Sequence, residues 1–137
     1  MAVLSPTVAD VLLETGGQST KVIAGATVTQ GDAVYSDAAD DNEYKPAVNT
    51  SVEAAAVKGL ALNAAEDGQP LNVAIAGVIQ GFGASEGVAY FLSSTDGVIG
   101  TEDEIGSGDF CTFIRWGNSD GDIVMTNGPQ LAGFAKP

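Results

Sequence analysis

The sequence predicts an all-β fold, a small β-sandwich or β-barrel-like domain with an N-terminal arm and little helix. Of its 137 residues, 18 are glycine, which is about twice the usual share in globular proteins. From Lys21 onward, short runs of β-branched and aromatic residues alternate with glycine turns, a pattern typical of all-β domains. A chain of this length forms one compact domain. We therefore expect an arm at residues 1–20 and a β-rich domain at residues 21–137.

The strand-like runs follow one another at short intervals. They cover residues 21–24, 26–29, 33–36, 44–47, 58–62, 71–75, 78–79, 88–92, 110–116 and 122–125. Two pairs of runs, 58–62 with 71–75 and 110–116 with 122–125, are separated by loops with turn-forming residues and are predicted to be hairpins. Residues 52–57 have helix-forming composition, but six residues are few for a stable helix, so a short helix and a loop remain open there.

The run from Phe110 to Trp116 is the most aromatic strand of the chain. Strict alternation places Phe110, Thr112, Ile114 and Trp116 on one face and Cys111, Phe113 and Arg115 on the other. Because both faces carry aromatic rings, we expect one face to meet the core and the other a neighbouring subunit. The predicted oligomer contacts are Phe113, Arg115 and Trp116.

The N-terminal arm is rich in apolar residues and is predicted to hold one short helix at best, because Gly16 and Gly17 end any helix early. A short separate segment cannot bury such side chains by itself. We therefore expect the arm to bind a partner, with the alternative that it covers one end of the β-domain. The predicted arm contacts are Val3, Leu4, Val8, Val11 and Leu12.

The charge of the chain restricts its partners. Five Lys and Arg against eighteen Asp and Glu give a formal net charge of −13. Such a field repels phosphate backbones and anionic lipid headgroups, so we expect no nucleic-acid and no membrane partner. The N-terminus lacks the pattern of a secretory signal peptide, and the single cysteine, Cys111, cannot form an intramolecular disulfide.

Catalytic and metal-binding motifs are weak. Residues 83–87 match the G-x-S-x-G pattern of a nucleophile elbow, but the chain has no histidine to activate Ser85. The acidic runs at 37–43, 102–104 and 120–122 do not follow the spacing of a calcium-binding loop, although weak calcium binding stays open. We therefore expect no enzymatic activity, no cofactor and no dedicated metal site.

Three segments of the chain resemble one family. Residues 22–35 with the following Asp-rich loop and Tyr44-Lys45-Pro46-Ala47, residues 57–79, and residues 87–97 are similar to the capsid decoration proteins of tailed bacteriophages, also called cement proteins, and to their head-fibre relatives. The likeness lies in glycine turns, alternation and the order of elements. It covers roughly residues 20–100 and leaves out the arm and the aromatic strand.

The resemblance implies a non-enzymatic structural protein that binds the outer surface of an icosahedral capsid and stabilises it, often as a homotrimer. Its partners would be the major capsid protein and further copies of itself, and it would be made in the host cytoplasm and reside on the virion. We then expect the capsid contact on the N-terminal arm, together with surface loops at the same end of the trimer, through Val3, Leu4, Val8, Val11 and Leu12. The alternative is a surface or tail-associated module that binds carbohydrate or a receptor through exposed aromatics such as Tyr44, Tyr90 and Trp116.

Overall fold

The chain folds into a single curled antiparallel sheet that closes halfway to a barrel. The computed structural model describes residues 3–7, 10–125 and 128–135. Strands make up 41% of the chain, and the described residues contain no helix of seven or more residues. The predicted all-β fold is confirmed.

Ten strands form the sheet. They are β1 (Gln18–Ile23), β2 (Ala33–Asp37), β3 (Glu43–Pro46), β4 (Gly59–Ala61), β5 (Pro70–Ile79), β6 (Ala89–Leu92), β7 (Ile99–Gly100), β8 (Phe110–Gly117), β9 (Ile123–Met125) and β10 (Gln130–Ala135). Two short 3₁₀ turns, Ala38–Asp40 and Glu102–Glu104, lie between strands.

The strand order is β3-β2-β4-β5-β9-β8-β6-β7, with β1 also pairing β5 and β10 also pairing β8. Every strand pairing is antiparallel. Both predicted hairpins are confirmed, since β4 pairs with β5 and β8 pairs with β9.

Strand β5 joins the two halves of the sheet. Its first part pairs with β1 and β4, and its last three residues, Gly77–Ile79, pair with β9. The register with β1 shifts by one residue between Gln18↔Ala76 and Ser19↔Ala74. Such a bulge bends a strand and increases its twist, so β5 can serve both halves of the curled sheet.

The N-terminal arm continues the pairing of β1 along β5. Leu13 bridges Ile79 in antiparallel fashion, and the backbone N–H of Glu14 donates to the Val78 carbonyl at 2.9 Å. Farther toward the N-terminus, the Leu4 N–H donates to the Ile99 carbonyl at 2.8 Å. The described part of the arm therefore packs on the β-domain. This agrees with the alternative prediction, in which the arm covers one end of that domain.

Close contact between the arm and β5 depends on two glycines. A Cβ on Gly77 would lie 2.7 Å from the Gly17 Cα, and Gly77 also has a φ of 120°. Residues with a side chain rarely adopt that conformation. Gly17, which in the sequence indicates only the end of a helix, thus lets the arm backbone approach that of β5 at Gly77.

The core has two parts. The larger cluster lies inside the curl and includes Phe82, Ile79, Ile114 and Ile123. The smaller cluster covers the opposite face of the first half of the sheet. Neighbouring residues of β4 divide between them, since Leu60 belongs to the larger cluster and Ala61 to the smaller one.

Several predicted elements differ from the structure. Residues 26–29 form no strand and make only the Val28↔Ala65 bridge. Residues 51–55 form one hydrogen-bonded turn, with the Ala55 N–H donating to the Ser51 carbonyl, so the short helix at 52–57 is not formed. Strands β7 and β10 carry no alternating pattern of sufficient length to be predicted from the sequence.

Gly59 in β4 is expected to be essential for stability. A Cβ at this position would overlap the Ala74 backbone carbonyl of the paired strand, and the backbone there cannot move without breaking the β4–β5 pairing. Gly59→Ala should lower the free energy of unfolding by roughly 3 kcal/mol, measured by urea denaturation.

Gly106→Ala is the matched control. Its Cβ would meet only the carboxylate end of the Asp109 side chain, at 3.0 Å, and that side chain can rotate away. The control should change stability by no more than about 0.5 kcal/mol. Equal effects of the two substitutions would contradict the close packing of β4 on β5.

Candidate functional site: the outer face of the sheet

Three aromatic rings form a cluster on the outer face of the second half of the sheet. The rings of Phe91 and Phe113 lie 5.5 Å apart, and those of Phe113 and Trp116 lie 5.3 Å apart in an edge-to-face arrangement at 82°. Trp116 is 49% exposed. Aromatic pairs with this geometry stabilise each other beyond the area that they bury, so the indole is held in place although half of it faces solvent.

A bulge in β8 turns Trp116 outward. Tyr90 pairs with Arg115 and Phe91 with Phe113, so Ile114 has no opposite residue on β6. One extra residue in a strand reverses the alternation of its side chains. Trp116 therefore shares the outer face with Phe113.

Part of the predicted face assignment is thus wrong. Alternation puts Trp116 on the face of Thr112 and Ile114, and both of these are buried in the structure as the prediction requires. Trp116 instead lies on the opposite face, because the bulge falls between Phe113 and Trp116. Glycine or proline often indicates a bulge in a sequence, but this one is at Arg115, so no local signal reveals it.

Arg115 lies in the bulge, and its positively charged guanidinium group reaches the aromatic cluster. Its φ of 149° is unusual for a residue with a side chain. The guanidinium Nε donates to the Gly128 carbonyl at 2.7 Å, and Cζ lies 5.2 Å from the centre of the Phe113 ring. A cation over an aromatic ring is attracted by the electron-rich face of the ring. Within the described residues, Arg115 forms no ion pair with a carboxylate.

Apolar side chains extend the aromatic cluster across the sheet. Trp116 pairs with Ala89 on one side and with Val124 on the other, and Val124 pairs with Val78. Residues opposite each other in neighbouring strands lie on the same face. A half-buried apolar row therefore runs from β6 to β5; we call it, together with Phe91, Phe113 and Trp116, the aromatic face.

The arm forms an open groove at the far end of the same face. Five residues line this arm groove, which has a volume of about 450 Å³: Leu12, Leu13, Glu14, Thr15 and Gln80. The Gln80 backbone N–H donates to the Leu12 carbonyl at 2.8 Å, and its side-chain Nε2 donates to the Glu14 carboxylate at 3.2 Å. Leu12 is 57% exposed, so the groove has an apolar wall and an acidic one.

Two carboxyl groups meet beside the arm groove. Asp122, which is only 6% exposed, hydrogen-bonds through its side chain to Glu14, and Asp120 lies nearby. Burial, then the hydrogen bond and negative charge of Glu14, then the charge of Asp120 raise the pKa of the Asp122 carboxyl, against a hydrogen bond from Asn118 that lowers it. Sequence reasoning does not find this pair, because Glu14 and Asp122 are brought together only by the pairing of the arm and β9 with β5.

The predicted arm contacts divide into core and surface residues. Leu4 and Val11 are buried in the larger core cluster, so in the folded chain they cannot touch a partner. Val3 is 42% exposed, and Leu12 is the most exposed of the large apolar side chains described. Val8 lies outside the described residues.

The residues of the suspected nucleophile elbow form a turn between β5 and β6. Ser85 is exposed, and its backbone N–H donates to the Tyr90 hydroxyl at 2.8 Å. That bond occupies the hydroxyl of a ring that is only 2% exposed. Tyr90 is therefore unavailable for stacking on a sugar, and Tyr44 packs against the smaller core cluster, which leaves Trp116 of the three aromatics considered.

The acidic loop at 37–43 is held by a lysine. Lys45 Nζ lies 2.7 Å from Asp37 Oδ2 and 3.2 Å from Asp40 Oδ2. The hydrogen bond from Lys45 lowers the pKa of the Asp37 carboxyl. In the described part of the chain, no group of three or more Cys, Asp or Glu side chains is arranged to hold a metal ion.

Comparisons with known proteins return nothing. No protein-family model, no curated protein and no solved structure matches the chain. Within the described residues, no helix has the length and apolar character needed to span a membrane.

Because of the pair formed by Asp122 and Glu14, we expect the stability of the fold to depend on pH. The pKa of Asp122 is raised in the folded state, so the folded chain holds this proton more tightly than the unfolded chain. Asp122 therefore costs no stability below its ordinary pKa and costs stability as the pH rises through the raised value. Asp122→Asn should raise the melting temperature at pH 7 and change it little at pH 3.5, measured by circular dichroism.

Asp122→Asn keeps the shape and the hydrogen bond to Glu14, so packing changes little. A variant that is destabilised at neutral pH, or shifted equally at both pH values, would contradict the assigned electrostatic cost.

Proposed function

We propose that the chain is a non-enzymatic structural protein that binds the outer surface of an icosahedral phage capsid and stabilises it, acting as a homotrimer on the virion. Its partners are the major capsid protein and further copies of itself. The resemblance of residues 20–100 to decoration proteins is the starting point of this proposal.

The structural observation that supports it is the half-exposed Trp116 on a rigid apolar sheet face. Large exposed apolar patches mark interaction sites on soluble domains, and aromatic residues held in a fixed rotamer are the usual anchors of protein interfaces. A sheet that presents such an anchor from its strands suits a role in binding and bracing another surface.

The charge of the chain agrees with a position outside a shell. At −13, it is repelled by the packaged nucleic acid and has no electrostatic reason to bind it. An exterior protein meets solvent on most of its surface, where acidic loops such as residues 37–43 are well hydrated.

Fewer arm residues are available to contact the shell than the sequence predicts. Of the predicted arm contacts that the structure describes, Val3 and Leu12 are exposed. Deleting the whole arm would also remove Leu4 and Val11 from the core, so the deletion cannot separate binding from folding. Single substitutions at exposed positions can.

A carbohydrate-binding module is the second candidate, and Trp116 is the observation that favours it. An exposed indole can stack on the apolar face of a sugar ring. A carbohydrate-binding module should bind sugars on a glycan array and should not bind capsids. A decoration protein should do the reverse.

The chain should sediment together with expanded, empty shells assembled from the major capsid protein of the same genome, and it should raise their melting temperature. Val3→Ser should reduce the bound fraction several-fold without changing the circular dichroism spectrum, because it removes exposed apolar area only. Co-sedimentation and shell calorimetry measure both effects.

Val52→Ser is the control, because Val52 is 53% exposed and belongs to the loop before β4 and not to the arm. It should bind shells as the unchanged chain does. No binding of the unchanged chain to shells would overturn the proposal, and binding to a glycan that Trp116→Ala abolishes would favour the second candidate.

A further inference from the structure

The charges of the chain are unevenly distributed over the sheet. The six strands of the second half, β5 to β10, contain no aspartate or glutamate and one charged residue, Arg115. All eighteen carboxylates lie elsewhere in the chain. The aromatic face is therefore neutral to slightly positive on a strongly acidic protein, and it is where another acidic chain meets the least repulsion.

The two ends of the outer face have complementary character. One end presents the Trp116 ring as a projecting apolar group, with the Arg115 guanidinium beside it over Phe113. The other end presents the arm groove, with Leu12 as its apolar wall and Glu14 as its acidic wall. Three steps of strand pairing, Trp116 to Val124 to Val78 to Glu14, join the two ends, a span of about 15 Å at the usual strand spacing.

We propose that the aromatic face is the contact between copies of this chain, with Trp116 of one copy seated in the arm groove of the next and Arg115 facing Glu14. This inference rests on the proposed homotrimer and names its interface. It also assigns Leu12, which the sequence analysis places in the capsid contact, to the contact between copies.

A second copy is the occupant that the charges favour. A partner for Arg115 must supply a carboxylate, and a partner for Glu14 must supply a cation; each copy brings both. Because the matching patches differ, the contact is head to tail, and such contacts form closed rings when the rotation allows it. Three copies with their outer faces toward a common axis make the contact three times, so modest contacts add up through high effective concentration.

Within the described residues, the two charged groups at the ends of the face, Arg115 and Glu14, form hydrogen bonds but no ion pair. Arg115 has no carboxylate partner within the described residues, and its Nε bond is to the Gly128 carbonyl. At the other end, Glu14 faces the Asp122 carboxyl with Asp120 nearby, and this crowding of acids contributes to the raised pKa of Asp122. An arginine from a neighbouring copy would relieve the repulsion.

A charge exchange tests the pairing. Arg115→Glu places acid against acid, and Glu14→Arg places cation against cation, so each single variant should weaken self-association at least tenfold. The double variant Glu14→Arg with Arg115→Glu should recover it. Light scattering after size exclusion measures the mass, and circular dichroism confirms that each variant is folded.

Leu12→Ser covers the case in which Arg115→Glu disturbs the bulge in β8. Leu12 is more than half exposed, so its loss does not affect the core, and it should weaken association in the same assay. Val52→Ser, with similar exposure elsewhere, should not.

The single tryptophan of the chain reports the contact directly. Trp116 is the only one, so emission excited at the long-wavelength edge, where the three tyrosines do not absorb, comes from the proposed interface alone. On dilution of the unchanged chain, the emission maximum should move to longer wavelength over the same concentration range in which light scattering shows the oligomer dissociating.

Three results would overturn the inference: a monomer at every concentration tested, an oligomer whose Trp116 emission stays constant through dissociation, or a double variant no better than the singles. The shell assay separates this inference from the proposed function. A monomer that still binds shells overturns the copy contact and the homotrimer but leaves the capsid role, and an oligomer that passes the exchange test but ignores shells overturns the capsid role alone.

Discussion

The pairing of β5 along its whole length is the constraint on which the rest of the structure depends. This ten-residue strand pairs with β1, β4, β9 and the N-terminal arm, so it joins the two halves of the sheet and fixes the arm on the sheet. Gly77 permits the close approach of the arm. The arm in turn supplies Leu4 and Val11 to the core, and burial of two aliphatic side chains stabilises the fold by a few kcal/mol. The described residues of the arm are thus part of the folded domain, held by isolated bridges at Val3 and Leu13.

The bulge in β8 has a comparable effect on the surface. An ordinary strand would turn Trp116 toward the larger core cluster beside Ile114, and the outer face would keep only the rings of Phe91 and Phe113. With one extra residue in β8, in the bulge formed by Ile114 and Arg115, the indole joins the outer face and meets Phe113 edge to face. An unusual backbone conformation at Arg115 accompanies this change, and such conformations persist where the surrounding structure supports them. Here the Gly128 carbonyl and the Phe113 ring supply that support.

Charge is unevenly distributed over the molecule, with acidic loops on one part of its surface and few charged residues on the aromatic face. Acidic loops such as residues 37–43 are stabilised locally, by Lys45 in that case, and remain hydrated. The aromatic face lacks carboxylates, and where acids do approach it, at Glu14 and Asp122, burial raises the pKa of Asp122 first and the neighbouring charges add to it. Both proposals draw on this division, because an acidic chain can associate with a shell or with itself only where its own charge is low.

The sequence by itself determines the fold class, both hairpins and the acidic, histidine-free character of the chain, because glycine turns, alternation and composition act locally. It also indicates which strand carries Phe113, Arg115 and Trp116, the residues proposed to form the contact between copies. Only the tertiary structure decides that Trp116 faces outward, since a one-residue bulge at an arginine leaves no local signal. It also decides that Leu4 and Val11 are core and that Glu14 meets Asp122. Those outcomes depend on long-range strand pairing with β5, and pairing between residues far apart in the chain is a property of the whole fold that no single segment encodes.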